Sequence, residues 1–182
     1  METPALPTKD RLIRAAAILF RSHGYNGVGV AEILTEAKAP KGSLYHHFPN
    51  GKADLAVAAA RAASDEMLRL AAASFAEAKS FNDGAATLCH KLAKLFDKTG
   101  WDTCPIAATL LPGPDNPDFR AEAQHIYDGW IGEIHDHAAR LGLDEAQAQA
   151  KSEALFIAIQ GAWTLARARC DSDVLRRVPD SL

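Results

Sequence analysis

One lysine, one tyrosine and two histidines crowd into Lys41-Gly42-Ser43-Leu44-Tyr45-His46-His47-Phe48, and a second lysine, Lys52, follows four residues on. Ammonium, phenol and imidazole groups on a short helix are the donors that hold nucleic-acid phosphates and reach base edges. Leu44 and Phe48 are four apart, so they share one helical face and suit burial. Gly42, Tyr45 and His46 then fall on other faces. Gly42 has no side chain, so another backbone can approach it closely. Lys52 opens a further helix, whose free N–H groups add positive potential. Each part alone has an ordinary explanation. Neighbouring histidines on an exposed helix are more often solvated than functional, and a Leu/Phe pair at this spacing is common in cores. The combination, on a short helix behind two others, is what points to a binding surface.

The elements around this segment are helical. The chain has 36 Ala and 19 Leu against 5 Val and 9 Ile, a choice that favours helix over strand. Thr8 can cap a first helix, in which Leu12, Ile13, Ala16, Leu19 and Phe20 share one face and Gly24 marks the end. Val30, Ile33, Leu34 and Ala37 repeat the pattern over a short second helix. Ala39-Pro40 is expected to open the third, which the turn Pro49-Asn50-Gly51 closes. Three short helices with a tight turn between the second and third make a helix-turn-helix unit. Beyond it the pattern predicts helices over 52–79, from the 80–83 break to 99, over 107–111, over 118–141 and 144–170, and over 172–178, ending at Pro179. The two long ones, joined at Gly142, read as an antiparallel pair. The expected fold is all-α with about nine helices: a three-helix unit at residues 1–52 and a larger helical domain at 53–182.

Composition narrows the function. The 182 residues are 48% hydrophobic and 24% charged, the balance of a globular protein. No apolar run approaches the ~18 residues of a membrane span, and no leader of signal-peptide type stands at the N-terminus. Three cysteines without a CxxC pair fit a reducing cytoplasm. Glu122-Ala123-Gln124-His125 is a single Glu-x-x-His, whereas a two-metal helical bundle needs two such motifs and two further glutamates. His135 and His137, two apart, do not share a helix face. No catalytic residue, metal or cofactor is therefore expected. A helical-bundle metal enzyme and a protein-interaction adaptor that has lost DNA binding remain the alternatives. The net charge of -3 argues against nucleic acid, but it divides unevenly. Residues 1–60 hold seven basic and five acidic residues, net +2, and the remainder holds 13 and 18, net -5.

The run from Ala15-Ala16 through Leu19-Phe20, Gly24-Tyr25, Gly29-Val30, Ile33 and Ala37 to Lys41–Phe48 resembles the DNA-binding domain of TetR-family transcriptional repressors. The longer turn Phe48-Pro49-Asn50-Gly51-Lys52, with Cys104-Pro105-Ile106-Ala107-Ala108 and Gly161-Ala162-Trp163-Thr164-Leu165-Ala166-Arg167-Ala168-Arg169, resembles the LmrA/YxaF-type branch. The resemblance implies a cytoplasmic, ligand-responsive repressor without membrane attachment. It would bind palindromic double-stranded operator DNA as a homodimer and leave it when a small hydrophobic or aromatic effector binds. It places Lys41, Gly42, Tyr45 and His46 on the recognition helix, with Ser43 in the same set, and His47 and Lys52 on DNA phosphate. Two departures stand out. Val28 and Gly29 replace the usual phosphate-touching Ser or Thr at the second helix. Lys38 stands where the turn usually carries a glycine, often left-handed.

The larger domain interleaves Phe75, Leu88, Leu92, Phe96, Trp101, Trp130, Phe156 and Trp163 with His90, Cys104 and His125. Apolar walls with few polar groups make ligand pockets, although each residue singly also suits plain core. The resemblance implies an effector pocket here, for which Phe96, Trp101, Cys104 and Trp130 are the candidates. Leu155, Ile159, Ala162, Trp163 and Ala166 form one stripe on the helix at 144–170. That stripe is the candidate dimer face, with Ile126, Trp130, Ile131 and Ile134 as the second contributor, and intramolecular core as the competing use. The fourth helix is the expected lever between pocket and reading head.

Overall fold

The computed structural model describes residues 6–99, 102–112 and 116–181. Within them the chain forms nine α-helices and no strand. They are α1 (Thr8–Gly27), α2 (Val30–Glu36), α3 (Ser43–His47), α4 (Lys52–Phe75), α5 (Phe81–Thr99), α6 (Pro105–Leu110), α7 (Pro117–Arg140), α8 (Glu145–Arg169) and α9 (Asp173–Arg176). A 3-10 turn over Val178–Ser181 follows, so Pro179 lies inside a helical turn and does not end one. No helix among the described residues is long and apolar enough to cross a membrane.

The chain folds as two compact units. The first runs to Ala63 and takes in Pro105–Ala123, so it is larger than residues 1–52. Its core is Leu12, Ala16 and Phe20 of α1, Ile33 of α2, Leu44 of α3, Leu55 of α4 and Ile106 of α6, each fully buried. Composition gave no hint that 105–123 belongs here, because the segment joins through contacts between residues far apart in the chain. Gly24, at φ +71°, kinks α1 and leaves one further turn, and a Cβ there would lie 3.7 Å from the Ala108 carbonyl. Asn26 Nδ2 donates to the Pro112 carbonyl at 3.4 Å, and the Tyr25 ring meets Phe119 edge-on at 5.2 Å. Both Arg61 guanidinium donors reach Glu122, at 2.6 and 2.7 Å.

Two expected starts move. Pro7 holds the N-cap position of α1, and the Thr8 hydroxyl accepts from the Arg11 guanidinium at 3.2 Å instead of capping. Pro40 precedes α3 by three residues, because its carbonyl accepts from the Ser43 N–H in a turn that delays the helix. That turn depends on Lys38, which sits left-handed at φ +49°. An L-residue there is strained by about 1–2 kcal/mol. Lys38→Gly is therefore expected to stabilise the fold by about 1 kcal/mol and raise the melting temperature by roughly 2–4 °C in calorimetry.

The second unit comprises residues 64–104 and 124–182. One face of α5 (Phe81, Leu88, Leu92, Phe96) packs with one face of α8 (Leu155, Ile159, Trp163, Ala166) and with Leu175 of α9 into its core. Asp144 and Gln147 form a reciprocal capping box at the start of α8, satisfying two free donors. Helix α4 stops at Phe75, earlier than the residue 79 expected. Arg140 Nη2 donates to the Phe75 carbonyl at 2.7 Å and Lys91 Nζ to that of Ala73 at 2.9 Å, which caps the helix end. The Lys79 N–H turns instead to the Asp83 carboxylate at 3.0 Å, in the approach to α5.

Candidate nucleic-acid interface and ligand cavity

In the first unit, α3 buries Leu44 completely and turns its other residues outward. Lys41, Gly42, Tyr45 and His46 are exposed, while Ser43 and His47 are partly covered. Tyr45 is 62% exposed, an unusual state for so large an aromatic ring. The two imidazoles meet edge-on at 4.8 Å. Space above Gly42 is open, and no atom lies within 4 Å of where a Cβ would stand. The six residues of this segment singled out from sequence thus share one short, solvent-facing helix and its entry.

Lys52 behaves differently. Its ammonium lies over the Tyr25 ring at 4.1 Å and faces the Phe20 ring at 6.0 Å. Burial lowers the pKa of this lysine and raises that of Tyr25, so the ring stays neutral beneath the cation. Such a cation–π contact pins the start of α4. Lys52 is thereby a tethered charge, not a freely ranging one.

In the second unit a narrow cavity of about 40 Å³ lies among α4, α5, α7 and α8. Met67, Leu68 and Ala71 line it from α4, Leu88 and Leu92 from α5, Trp130 and Ile134 from α7, and Phe156, Ile159, Gln160 and Trp163 from α8. Both indole N–H groups are already committed. Trp130 donates to the Ser64 hydroxyl at 2.9 Å and Trp163 to the Asp102 carbonyl at 3.0 Å. Gln160 is among the lining residues, yet the wall it helps to form is apolar throughout.

Of the four pocket candidates, Trp130 lines this cavity. Phe96 does not: it is 1% exposed, and its ring meets Trp163 at 6.0 Å from the core side. Cys104 is buried away from it, with its sulfur 3.9 Å from the Tyr127 hydroxyl. Burial and this neighbour raise the Tyr127 pKa. Trp101 lies outside the described residues. Met67 and Gln160 went unnoticed in the sequence. A lone glutamine among Phe156, Ile157, Ile159 and Trp163 was the available signal.

The stripe assigned to a dimer face is turned inward. Leu155 and Ala166 are fully buried, and Ile159, Ala162 and Trp163 are 6–8% exposed, all within this one chain. Periodicity cannot tell which of two apolar faces of α8 meets the chain's own core. The opposite face presents Ala154, Ile157, Gly161 and Leu165, with Ile157 60% and Leu165 41% exposed. On α7, Ile126, Trp130 and Ile134 also face the core, while Gly129 and Gly132 are exposed. Glu122 cannot serve as a free metal ligand, because Arg61 occupies both carboxylate oxygens. No cluster of three metal-ligating side chains occurs among the described residues.

An exposed recognition-type helix behind two amphipathic ones, in a chain whose other helical unit holds an apolar cavity, defines a helix-turn-helix regulator. Comparison with known proteins agrees. Residues 12–59 match the model for bacterial regulatory proteins of the tetR family. Residues 82–181 match that for the C-terminal domain of LmrA/YxaF-like transcriptional regulators. The chain belongs to the TetR family of transcriptional regulators, in its LmrA/YxaF-like branch, and is not an enzyme. It is 27% identical to the transcriptional regulator LmrA of Bacillus subtilis over 156 residues, covering 85% of this chain and 83% of that protein. The regulatory protein TetR from Rhodobacter sphaeroides has a similar crystal structure, with TM-score 0.81, 26% identity, and 94% and 95% of the two chains covered. The fold also matches CifR, a TetR-family regulator solved with 26-bp double-strand operator DNA, with TM-score 0.78, 18% identity, and 99% and 97% covered.

Proposed function

We propose that this regulator is a repressor that grips a palindromic operator as a homodimer and releases it when a small hydrophobic or aromatic molecule enters the second unit. The observation that carries the reading is α3, five residues long with Leu44 buried and Tyr45, His46 and the preceding Lys41 in solvent. In this reading residues 1–52 form the DNA-binding domain and 53–182 the effector and dimer domain. Lys41, Gly42, Ser43, Tyr45 and His46 enter the major groove, His47 meets phosphate, and Lys52 adds charge at the start of α4. The operator complex of CifR, which shares the fold, makes the same use of this chain reasonable.

The dimer face is assigned to the outward side of α8 and α7. Ala154, Ile157, Gly161 and Leu165 recur at helical spacing, and a Cβ added at Gly129, Gly132 or Gly161 would meet nothing within 4 Å. Small residues beside large apolar ones let two helices from a second copy approach into a four-helix bundle. Such pairing would set two α3 helices one or more DNA turns apart.

The effector reading rests on the cavity. Ligand pockets usually run to ~300 Å³ or more, so a ligand must push the walls of this one apart. Met67, the most adaptable of its linings, sits on α4, the helix that begins at Lys52. A ligand that favours the opened walls shifts the equilibrium away from the DNA-binding state. A coupling of about 1–3 kcal/mol would weaken operator binding roughly 5–150-fold. The wall is apolar throughout and both indoles are committed, so an effector without polar groups fits it best. In calorimetric titration an unhydroxylated aromatic effector is expected to bind more tightly than its hydroxylated analogue, because a buried hydroxyl would find no partner on the wall.

Selection of bound duplexes from a random pool by the purified protein tests the reading. A two-fold symmetric site is the expected product. No enrichment, or an asymmetric site bound by a monomer, would sink it.

A further inference from the structure

A second positively charged surface lies in the first unit, apart from the exposed face of α3. Arg11, Arg14 and Ile18 recur along α1 at i, i+3 and i+7 and so share one face. Together with Lys38 and Glu36 they line a cleft of about 320 Å³. Three of the seven basic residues among the first sixty therefore meet in one place. Among the described residues, none of the three makes an ion pair, and Glu36 makes none either. Their charge is not spent on the protein itself.

Arg11 adds an independent sign. Its Nε is buried and finds no hydrogen-bond partner, while its Nη2 donates to Thr8. A buried donor of a charged group left without an acceptor is unfavourable and needs an explanation. Lys38 adds another. It keeps a strained left-handed backbone where glycine would relax it, and it stands three residues before Lys41 in the turn that leads to α3. The net effect is a cleft with three unspent cations, one carboxylate, and an apolar rim at Ile18, which is 41% exposed.

We infer that the cleft of Arg11, Arg14 and Lys38 seats the phosphodiester backbone of the bound DNA beside the stretch read by α3. Phosphates supply acceptors for the unpaired cations, and Ile18 offers an apolar face to deoxyribose. This assignment rests on the DNA-binding reading and adds contacts that position the protein without choosing sequence. It also explains how a head of net charge +2 grips a polyanion: its cations gather in two places that share one turn.

Binding to the selected duplex, measured across a salt series, tests it. Each lost phosphate contact flattens the dependence of log K on log salt by about 0.9. Arg14→Gln and Lys38→Gly are each expected to do so, with affinity at 0.1 M salt falling roughly 8-fold for every sequence alike. Glu36→Gln should tighten binding, and Lys94→Gln, on the second unit, should change nothing. Lys38→Gly separates this role from a folding defect, because it is expected to melt higher while binding more weakly. Unchanged slopes in Arg14→Gln and Lys38→Gly, with normal binding by the unaltered protein, would overturn the cleft assignment and leave the α3 reading standing. Failure of the unaltered protein to bind any duplex would overturn both. Pyrophosphate that raises the melting temperature through Arg14, with the DNA slopes unchanged, would reassign the cleft to a free anion and overturn the DNA backbone as its occupant.

Discussion

Tyr45→Ala should weaken operator binding by about 1–3 kcal/mol, roughly 5–150-fold, as the loss of a good specific contact does. It should leave the fold almost untouched, because the ring is 62% exposed and Leu44 beside it carries the burial. The ring is nevertheless held in place. Its Cε1 lies 3.0 Å from where a Cβ on residue 51 would stand, and Gly51 is buried at φ +64°. Gly51→Ala is therefore expected to do two things. It strains a left-handed backbone by about 1–2 kcal/mol, and it pushes the Tyr45 ring off its present line. The second effect should appear as weaker operator binding even after correction for stability. In the double variant the binding losses should sum to less than the two single losses, because part of the Gly51 effect on DNA passes through Tyr45. Fluorescence anisotropy with the selected duplex, beside calorimetry on each protein, reads both quantities. Unchanged affinity in Tyr45→Ala would remove this ring from the reading head.

The longer Phe48–Lys52 turn thus has a mechanical meaning that its residues alone did not reveal. Pro49-Asn50-Gly51 was readable as a turn, and Leu44 and Phe48 as its buried anchor. That Gly51 would support Tyr45 from below depends on how the turn folds back, which no local pattern encodes. The same limit explains the other differences. Helical period located nearly every helix, since apolar side chains recur wherever a face is buried. It could not say which apolar face of α8 meets the core, because Leu155/Ile159/Ala162/Trp163 and Ala154/Ile157/Gly161/Leu165 both keep the spacing. Segment 105–123 joins the first unit by packing of Ile106 and Phe119 and by the Arg61–Glu122 pair, contacts between residues far apart in the chain. The left-handed position of Lys38 was implied by the family resemblance, where a glycine usually stands, and Lys38 adopts φ +49°. The cavity was legible as an apolar helical body, and Trp130 as one of its walls. The committed indoles were not, because their acceptors Ser64 and Asp102 lie more than sixty residues away.

A large loss of stability is expected at a glycine that carries no motif. In an exposed helix, Gly→Ala gains about 1 kcal/mol. Gly84→Ala on α5 should instead lose about 2–3 kcal/mol, because its Cβ would stand 2.1 Å from Cδ1 of Phe75. The Phe75 ring has nowhere to go. It is fully buried, stacks on His137 at 5.2 Å and meets Phe81 at 5.8 Å. Phe75→Ala alone should cost about 3–5 kcal/mol through the cavity it leaves. In that background the clash is gone, so Gly84→Ala should change sign and stabilise by up to about 1 kcal/mol. Chemical denaturation of the four proteins closes the cycle, and additive losses would refute the steric cause. The consequence reaches function through α4. Ala71, one turn before Phe75, forms part of the cavity wall, and the Phe75–Gly84 contact fixes where that stretch of α4 lies against α5. Gly84→Ala should therefore alter effector affinity while the salt dependence of DNA binding, set by residues of the first unit, stays as it is.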